Sequence, residues 1–283
     1  MLLGMAAARP SLQPGDRVGP FRLEELLGEG AMGLVYRAVR EPGGETVALK
    51  VLKRALSRDS IYRQRFLREA EVAKQVEHKH LVPVVEAGED DGVNYLAMQY
   101  VEGGSLDERI EASGPLPLRE SVRVTAEVAS GLDALHREGL VHRDVKPSNI
   151  MLDRAGGAAL TDFGLARGPA FTVLTKPGQV MGTLDYIAPE LISGSAATPA
   201  SDVYALGCVV YECLTGQAPF AGLRMFEIAV AHVEREPTNP CELRADVPAD
   251  LGWASLSALA KEPERRPTTA RAYARMLEVA LGT

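Results

Sequence analysis

The chain has 283 residues, 46% of them hydrophobic and 24% charged, enough apolar material for one large core or two smaller ones and unlike a disordered or collagen-like polymer. Its 31 Lys and Arg against 38 Asp and Glu give a formal charge of −7, so the basic excess that draws a protein onto nucleic acid is missing and no nucleic-acid partner is expected. Three cysteines, Cys208, Cys213 and Cys241, contain no C-x-x-C pair, which argues against a disulfide framework and a thiolate zinc site and fits a reducing cytoplasm.

Residues 1–17 read as a disordered leader, since the apolar start lacks the basic stretch that opens a secretory signal. The longest apolar run, around Leu206 to Tyr211, falls far short of the roughly 18 residues that span a bilayer, so no membrane span is expected. The location expected is cytoplasmic, with a membrane tether if the chain is part of a longer protein.

From Phe21 to Leu52 apolar and polar residues alternate, interrupted by Gly28 to Gly33 and by Pro42-Gly-Gly44, which predicts three strands of a small antiparallel sheet. Phe66, Ala70, Ala73 and Val76 recur at helical spacing and predict one amphipathic helix between Asp59 and Val76. Leu81 to Ala87 and Val93 to Val101 predict two further strands, with hairpin chemistry in Gly88-Glu-Asp-Asp-Gly92 between them. After Gly103-Gly104, helical patterns over Ser121–Glu138, Ser201–Thr215 and Arg271–Leu281 dominate. The expected organisation is a β-rich lobe over 18–101 and a mainly helical lobe over 102–283, one catalytic domain with a cleft between its lobes.

Gly28-x-Gly30-x-x-Gly33 is followed by the alternating, β-branched Leu34 to Val39, so it joins two strands rather than opening the helix that a dinucleotide fold requires. It reads as a lid whose bare backbone admits phosphate oxygens, or as a plain flexible turn. Lys50 interrupts the apolar run Val47 to Leu52, a placement that costs several kcal/mol unless an anion pairs with it. Ala48 and Lys50 share one strand face about 7 Å apart, suiting a small residue against a flat ring and an ammonium at its phosphates. Glu69, on the apolar face of the predicted helix with Phe66 and Ala73, is the candidate counter-charge; a structural ion pair is the alternative.

Two acid-bearing turns follow, His142-Arg-Asp144-Val-Lys146-Pro-Ser-Asn149 and Thr161-Asp162-Phe-Gly164, flanked by the apolar runs Gly139–Val141, Ile150–Leu152 and Ala158–Leu160. Asp and Asn oxygens are hard ligands suited to Mg²⁺ that also binds substrate phosphates, while Asp144 can instead orient a hydroxyl for in-line attack. Each aspartate taken singly reads as a turn cap.

Gly28-x-Gly-x-x-Gly-x-Val35, Val47-Ala-Leu-Lys50, His142-Arg-Asp-x-Lys-x-x-x-Asn149, Asp162-Phe-Gly164 and Ala188-Pro-Glu190 occur in this order. Together they resemble the catalytic domain of eukaryotic-type Ser/Thr protein kinases, most closely the bacterial ones, from about Val18 to Leu281. The resemblance implies a two-lobed α+β fold with ATP and Mg²⁺ as cofactors, Mn²⁺ being a substitute. It implies that Lys50 holds the α- and β-phosphates and pairs with Glu69, that Asp162 and Asn149 hold the metal, that Asp144 receives or orients the hydroxyl proton, and that Lys146 steadies the γ-phosphate. It puts Leu27, Gly28, Gly30, Gly33, Val35, Ala48 and Met151 around the nucleotide, Met98 at the back of the pocket, and Gln99-Tyr-Val101 as a hinge offering backbone hydrogen bonds. Many relatives have Glu where Gln99 stands, of little consequence when the bonds are to backbone. Lys146 and Thr183 point to Ser and Thr as acceptors.

Leu165 to Ile187 resembles an activation loop, with Thr172 and Thr175 as its phosphorylation sites, modified by another copy of the same protein through self-association. Arg143, Arg65 and Arg167 are the expected phosphate pocket, or else three solvated arginines. By resemblance Asp202 bonds the catalytic-loop backbone, with a plain N-cap as the alternative, and Glu190 pairs with Arg266. His78-x-His80 reads as solvated or capping rather than zinc-binding, and the basic run from Lys53 to Arg68 as a solvated helix face, with attraction of acidic partners as the alternative. The function expected is a protein Ser/Thr kinase acting on protein substrates. A pseudokinase is the alternative, weighed down by the presence of Lys50, Asp144, Asn149 and Asp162; a small-molecule phosphotransferase would not need Thr183 or Ala188-Pro-Glu190.

Overall fold

The computed structural model describes residues 12–30, 33–57, 60–162 and 184–283, without the side chains of residues 54, 55, 61, 62, 65 and 69. The chain divides into two compact units, residues 1–67 with 84–100, and residues 68–83 with 101–283. Residues 68–83 thus group with the second unit, a difference from the single boundary near residue 101.

The first unit is built on a six-stranded antiparallel sheet in the order β1-β2-β3-β4-β6-β5. Its strands are β1 (Arg17–Val18), β2 (Phe21–Glu29), β3 (Gly33–Arg40), β4 (Thr46–Leu52), β5 (Val84–Asp90) and β6 (Val93–Gln99). One face is apolar at alternate positions: Phe21 and Leu23 of β2, Tyr36 and Ala38 of β3, Val47, Leu49 and Val51 of β4, and Tyr95 and Ala97 of β6 form one buried cluster. Each large side chain there contributes on the order of 1.5–3 kcal/mol by leaving water. The β5–β6 turn is tighter than Gly88 to Gly92 suggests. β5 runs on to Asp90, which pairs with Val93, and only Asp91 and Gly92 turn, with φ of 48° and 74°. Two left-handed residues match the twist of the flanking strands, and Asp-Gly adopts them readily.

Gly33 opens β3 where a Cβ would run into the Val51 carbonyl oxygen, whereas a Cβ on Gly28 would meet nothing within 4 Å. Gly33→Ala therefore costs about 1–3 kcal/mol, the usual toll of overpacking, and Gly28→Ala leaves stability nearly unchanged. Urea unfolding of the two variants checks the difference.

Helices α1 (Arg54–Ser57) and α2 (Ser60–Ala73) follow β4; α2 buries Phe66, Ala70 and Ala73. In the second unit, α3 (Leu106–Ser113) starts in a capping box made by Ser105 and Glu108. α4 (Leu118–Arg137) buries Val124, Val128, Leu132 and Leu135 along one stripe. A two-stranded hairpin, β7 (Ile150–Leu152) with β8 (Ala158–Leu160), comes next. The run Gly139–Val141 forms no strand, because the amides of Gly139 and Leu140 bond back to the carbonyls of His136 and Leu135 at the end of α4. The remaining helices are α5 (Pro189–Ile192), α6 (Pro199–Thr215), α7 (Met225–Glu234), α8 (Pro240–Leu243), α9 (Ala249–Leu256) and α10 (Ala270–Leu281). α6 is buried on every side from Ser201 to Leu214, which explains the apolar run at its middle. No helix among the described residues is long and apolar enough to cross a membrane.

Candidate active site

The β7–β8 hairpin joins the two acid-bearing motifs. Asn149 stands immediately before β7 and Asp162 two residues after β8, and the Thr161 amide donates to the Asn149 carbonyl at 2.9 Å. Ahead of β7, a 3-10 turn over Pro147–Asn149 folds the loop back on itself. There the Asn149 Nδ2 donates to the Asp144 carbonyl at 2.8 Å and to the Asp144 Oδ2 at 3.0 Å. Lys146 Nζ stands 3.0 Å from the same Oδ2, both side chains being about a quarter exposed. One loop therefore presents a carboxylate, an ammonium and an amide in fixed mutual orientation.

Holding the loop is strained work. Arg143 and Asp162 have φ of 67° and 60°, left-handed values that cost a side-chain-bearing residue roughly 1–3 kcal/mol each. Asp202, 1% exposed on α6, offsets this strain. Its Oδ2 accepts from the His142 amide at 2.8 Å and from His136 Nε2 at 2.8 Å, and its Oδ1 accepts from the Arg143 amide at 2.8 Å. Asp202 is no N-cap: α6 begins at Pro199 behind Thr198, which forms the capping box with Ser201. His142 is fully buried; its Nε2 donates to the Thr161 carbonyl at 3.0 Å and its Nδ1 accepts the Asp144 amide at 3.2 Å. Burial pushes its pKa below the ordinary histidine value, so a neutral imidazole ties the two motifs together.

The donor set suits a hard cation. With the Asn149 amide nitrogen engaged by Asp144, its Oδ1 is the atom left for a metal, and Asp162 supplies a carboxylate. Among the described residues no group of three or more His, Cys, Asp or Glu forms a metal cage. One amide oxygen and one carboxylate fit Mg²⁺ that completes its shell with phosphate oxygens and water.

In the first unit, Lys50 is less buried than its apolar run suggests. β4 hides Val47, Leu49 and Val51 on one face, while Ala48 and Lys50 share the other, half-exposed one. Val35 lies opposite Lys50, and Met98, 5% exposed, lies opposite Ala48; Gln99, exposed, pairs with Val47. Leu27, Gly28 and Gly30 are exposed, and the Gly30 amide donates to the Gly33 carbonyl at 2.8 Å, tightening the loop. In the second unit, Val101 is half-buried and Met151 forms a bridge with Ser105. Phe163, Gly164, Arg167, Thr172, Thr175 and Thr183 lie outside the described residues, as do the side chains of Arg65 and Glu69.

Glu190 and Arg266 form a bidentate pair, Nη1 to Oε1 at 2.8 Å and Nη2 to Oε2 at 2.7 Å. The Arg266 side chain is wholly buried; Nε donates to the Ala260 carbonyl, Nη1 also to that of Ala200, and Nη2 also to that of Lys261. Its five donors are thereby used. Ser201 Oγ donates to Glu190 Oε1 at 2.8 Å. Burial works to raise the Glu190 pKa, but the bonds from Arg266 prevail and hold it below the usual carboxylate range.

Two features escape the sequence reading. Tyr186 donates to Glu212 Oε2 at 2.6 Å, and burial pushes Glu212, on α6, up to about 7 against that bond. Its signal was present, a lone charge inside the apolar run of α6. Between the ordinary value near 4.5 and 7 the folded state holds a proton that the unfolded state has released, so Glu212 takes stability away as pH rises through that window. Glu212→Gln removes this loss, and its melting temperature exceeds the parent's by a margin that grows from pH 5 to pH 8 in thermal scans. The second feature is the His78–His80 pair. Both side chains are half-buried: His80 Nδ1 lies 2.8 Å from the Ala158 carbonyl, His78 Nε2 lies 3.2 Å from Ser130 Oγ, and His78 Nδ1 accepts the His80 amide at 3.2 Å.

The family model for the protein kinase domain matches residues 21–276. The chain belongs to the protein kinase domain family. Similar proteins include the serine/threonine-protein kinase PknH of Mycobacterium tuberculosis, 38% identical over 90% of this chain and 41% of its own length. PknE of the same organism is 38% identical over 95% of this chain and 47% of its own. The kinase domain thus spans less than half the length of these curated relatives. Among solved structures, the Mycobacterium tuberculosis PknI kinase domain is 30% identical with a TM-score of 0.77, covering 96% of this chain and 100% of that one. Rad53 1–466 in complex with AMP-PNP is 26% identical with a TM-score of 0.77, covering 91% of this chain and 65% of that one. The two-lobed α+β kinase fold follows, with an antiparallel sheet in one unit and helices in the other.

Proposed function

We propose that this kinase domain is an active protein serine/threonine kinase, transferring the γ-phosphoryl group of ATP to Ser and Thr hydroxyls of proteins, its own activation segment among them. The observation that carries the reading is the loop in which Asp144, Lys146 and Asn149 are bonded together and anchored on buried Asp202. A chain that only bound nucleotide would not need that constellation. Relatives named serine/threonine-protein kinases and a structural neighbour holding AMP-PNP support the same reading.

In this mechanism the Asp144 carboxylate orients the acceptor hydroxyl and takes its proton as the oxygen–phosphorus bond forms; the bond to the β-phosphate oxygen breaks and ADP leaves. Lys146 neutralises charge on the transferred group, and Lys50 does so on the α- and β-phosphates. The open backbone of Gly28 and Gly30 receives phosphate oxygens, with Gly33 ending that loop. Leu27, Val35, Ala48, Met98 and Met151 surround the adenine, and the backbone from Gln99 to Val101 bonds its edge. Asn149 and Asp162 would hold Mg²⁺, which when bound neutralises phosphate charge. Phosphorylation of Thr172 or Thr175, made in trans between two copies, would recruit Arg143, Arg65 and Arg167. Three free cysteines fit catalysis in the cytoplasm.

The test offers the chain γ-labelled ATP and Mg²⁺ with casein in one tube and an aminoglycoside in another. Label on casein, recovered as phosphoserine and phosphothreonine after acid hydrolysis, is the result expected. Label on the aminoglycoside alone, or nucleotide binding without transfer to either, would overturn the proposal.

A further inference from the structure

The second unit carries a groove that the kinase reading leaves unused. It runs between α4 and α10 beside the Lys79–His80 segment and encloses about 850 Å³. Its floor is small and apolar, with Val122 and Ala274 buried 5% and 4% exposed. Its walls are basic: Lys79, Arg119, Arg123, Arg271 and Arg275 line it against the two carboxylates Glu127 and Glu278. Of these, Glu127 is spoken for, since it binds Arg123 Nη1 at 3.0 Å and accepts the Ala158 amide at 2.7 Å. Lys79, Arg119, Arg271 and Arg275 are exposed, and no carboxylate among the described residues forms an ion pair with any of them.

Five cations against the two carboxylates Glu127 and Glu278 on one concavity, in a chain whose net charge is −7, leave a local positive excess that an anion would relieve. One helical turn beyond Arg275 on α10, Val279 is 74% exposed. We propose that this groove docks an acidic peptide segment of another protein, its carboxylates or phosphates against Arg119, Arg275, Arg271 and Lys79 and an apolar residue against Val279. The concave shape between two helices favours a peptide over a bilayer, which presents a broad flat surface. Charge complementarity of this kind acts chiefly on encounter rate and selectivity, so binding weakens as salt rises.

The inference is independent of catalysis and is tested by binding alone. Probes are a fluorescent twelve-residue Glu- and Leu-containing peptide, the same peptide with phosphoserines replacing half the glutamates, its Gln-for-Glu version, and vesicles with 30% phosphatidylserine. Expected is saturable binding of the acidic peptide, absent for the Gln version and weakened at least tenfold in R119E/R275E. The double variant R235E/R265E, carrying the same charge change elsewhere on this unit, retains parental affinity. Tighter binding of the phosphorylated peptide by R119 and R275 assigns phosphate as the preferred anion; equal binding assigns carboxylate, and both support the site. Equal loss in the two double variants, no binding of any peptide, or binding to the vesicles alone would overturn it. All variants change exposed side chains, and circular dichroism with a parental melting temperature confirms that they remain folded.

Discussion

Asp144→Asn lowers kcat by about 10²–10⁴-fold, the span usual for loss of a positioned general base, while ADP affinity stays within about threefold of the parent. The substitution keeps the shape of the side chain and an oxygen to accept from Asn149, so the loop that binds the Asp144 carbonyl and Oδ2 stays folded. What it removes is the negative charge that Lys146 faces at 3.0 Å and the site to which the hydroxyl proton goes. Steady-state phosphotransfer and isothermal titration with ADP separate these effects. A variant with more than half the parent's kcat would move the proton-accepting role away from Asp144.

Arg266→Ala costs about 3–5 kcal/mol, because it strands a partly buried Glu190 carboxylate and leaves the Ala260, Ala200 and Lys261 carbonyls without their donor. Glu190→Ala is also costly, since the wholly buried guanidinium then loses its anion. The double variant loses less than the sum of the two, as it must when both single changes break one interaction. Arg266→Lys rescues little, because an ammonium cannot reproduce two parallel bonds to the carboxylate. The depressed Glu190 pKa adds a pH signature: its contribution is present above the ordinary carboxylate value and fades as pH falls through the folded value. Urea unfolding from pH 6 down to pH 3 shows that fade in the parent and its absence in Glu190→Ala.

Much of the fold was readable because its periodicities are strong. β4 and the first half of β2 alternate, and α4 and α10 carry apolar stripes. What misled was local chemistry acting against pattern. Gly139–Val141 is apolar enough for a strand, yet its amides are captured by the end of α4. Lys50 looked like a buried charge because β4 reads as uniformly apolar, although only one of its faces is covered. The site's residue types were legible in order along the chain. Their geometry was not, since it depends on contacts across long separations: Asp202 reaches back 59 residues to Arg143, and Glu190 forward 76 to Arg266. Glu212 shows the limit most plainly, its raised pKa coming from burial and from Asp107, Asp185 and Glu111, which no sequence window gathers.

The central claim, that this kinase domain moves phosphate with the loop around Asp144, is met most directly by intact-mass spectrometry. The purified chain is stripped with phosphatase, freed of it, and incubated with Mg²⁺ and ATP alone and with casein, beside Asp144→Asn. Phosphate returning to the parent chain and passing to casein, with none on either protein in the Asp144→Asn reaction, is the predicted result. No added mass on the chain or the casein, or equal phosphate with the variant, would contradict it.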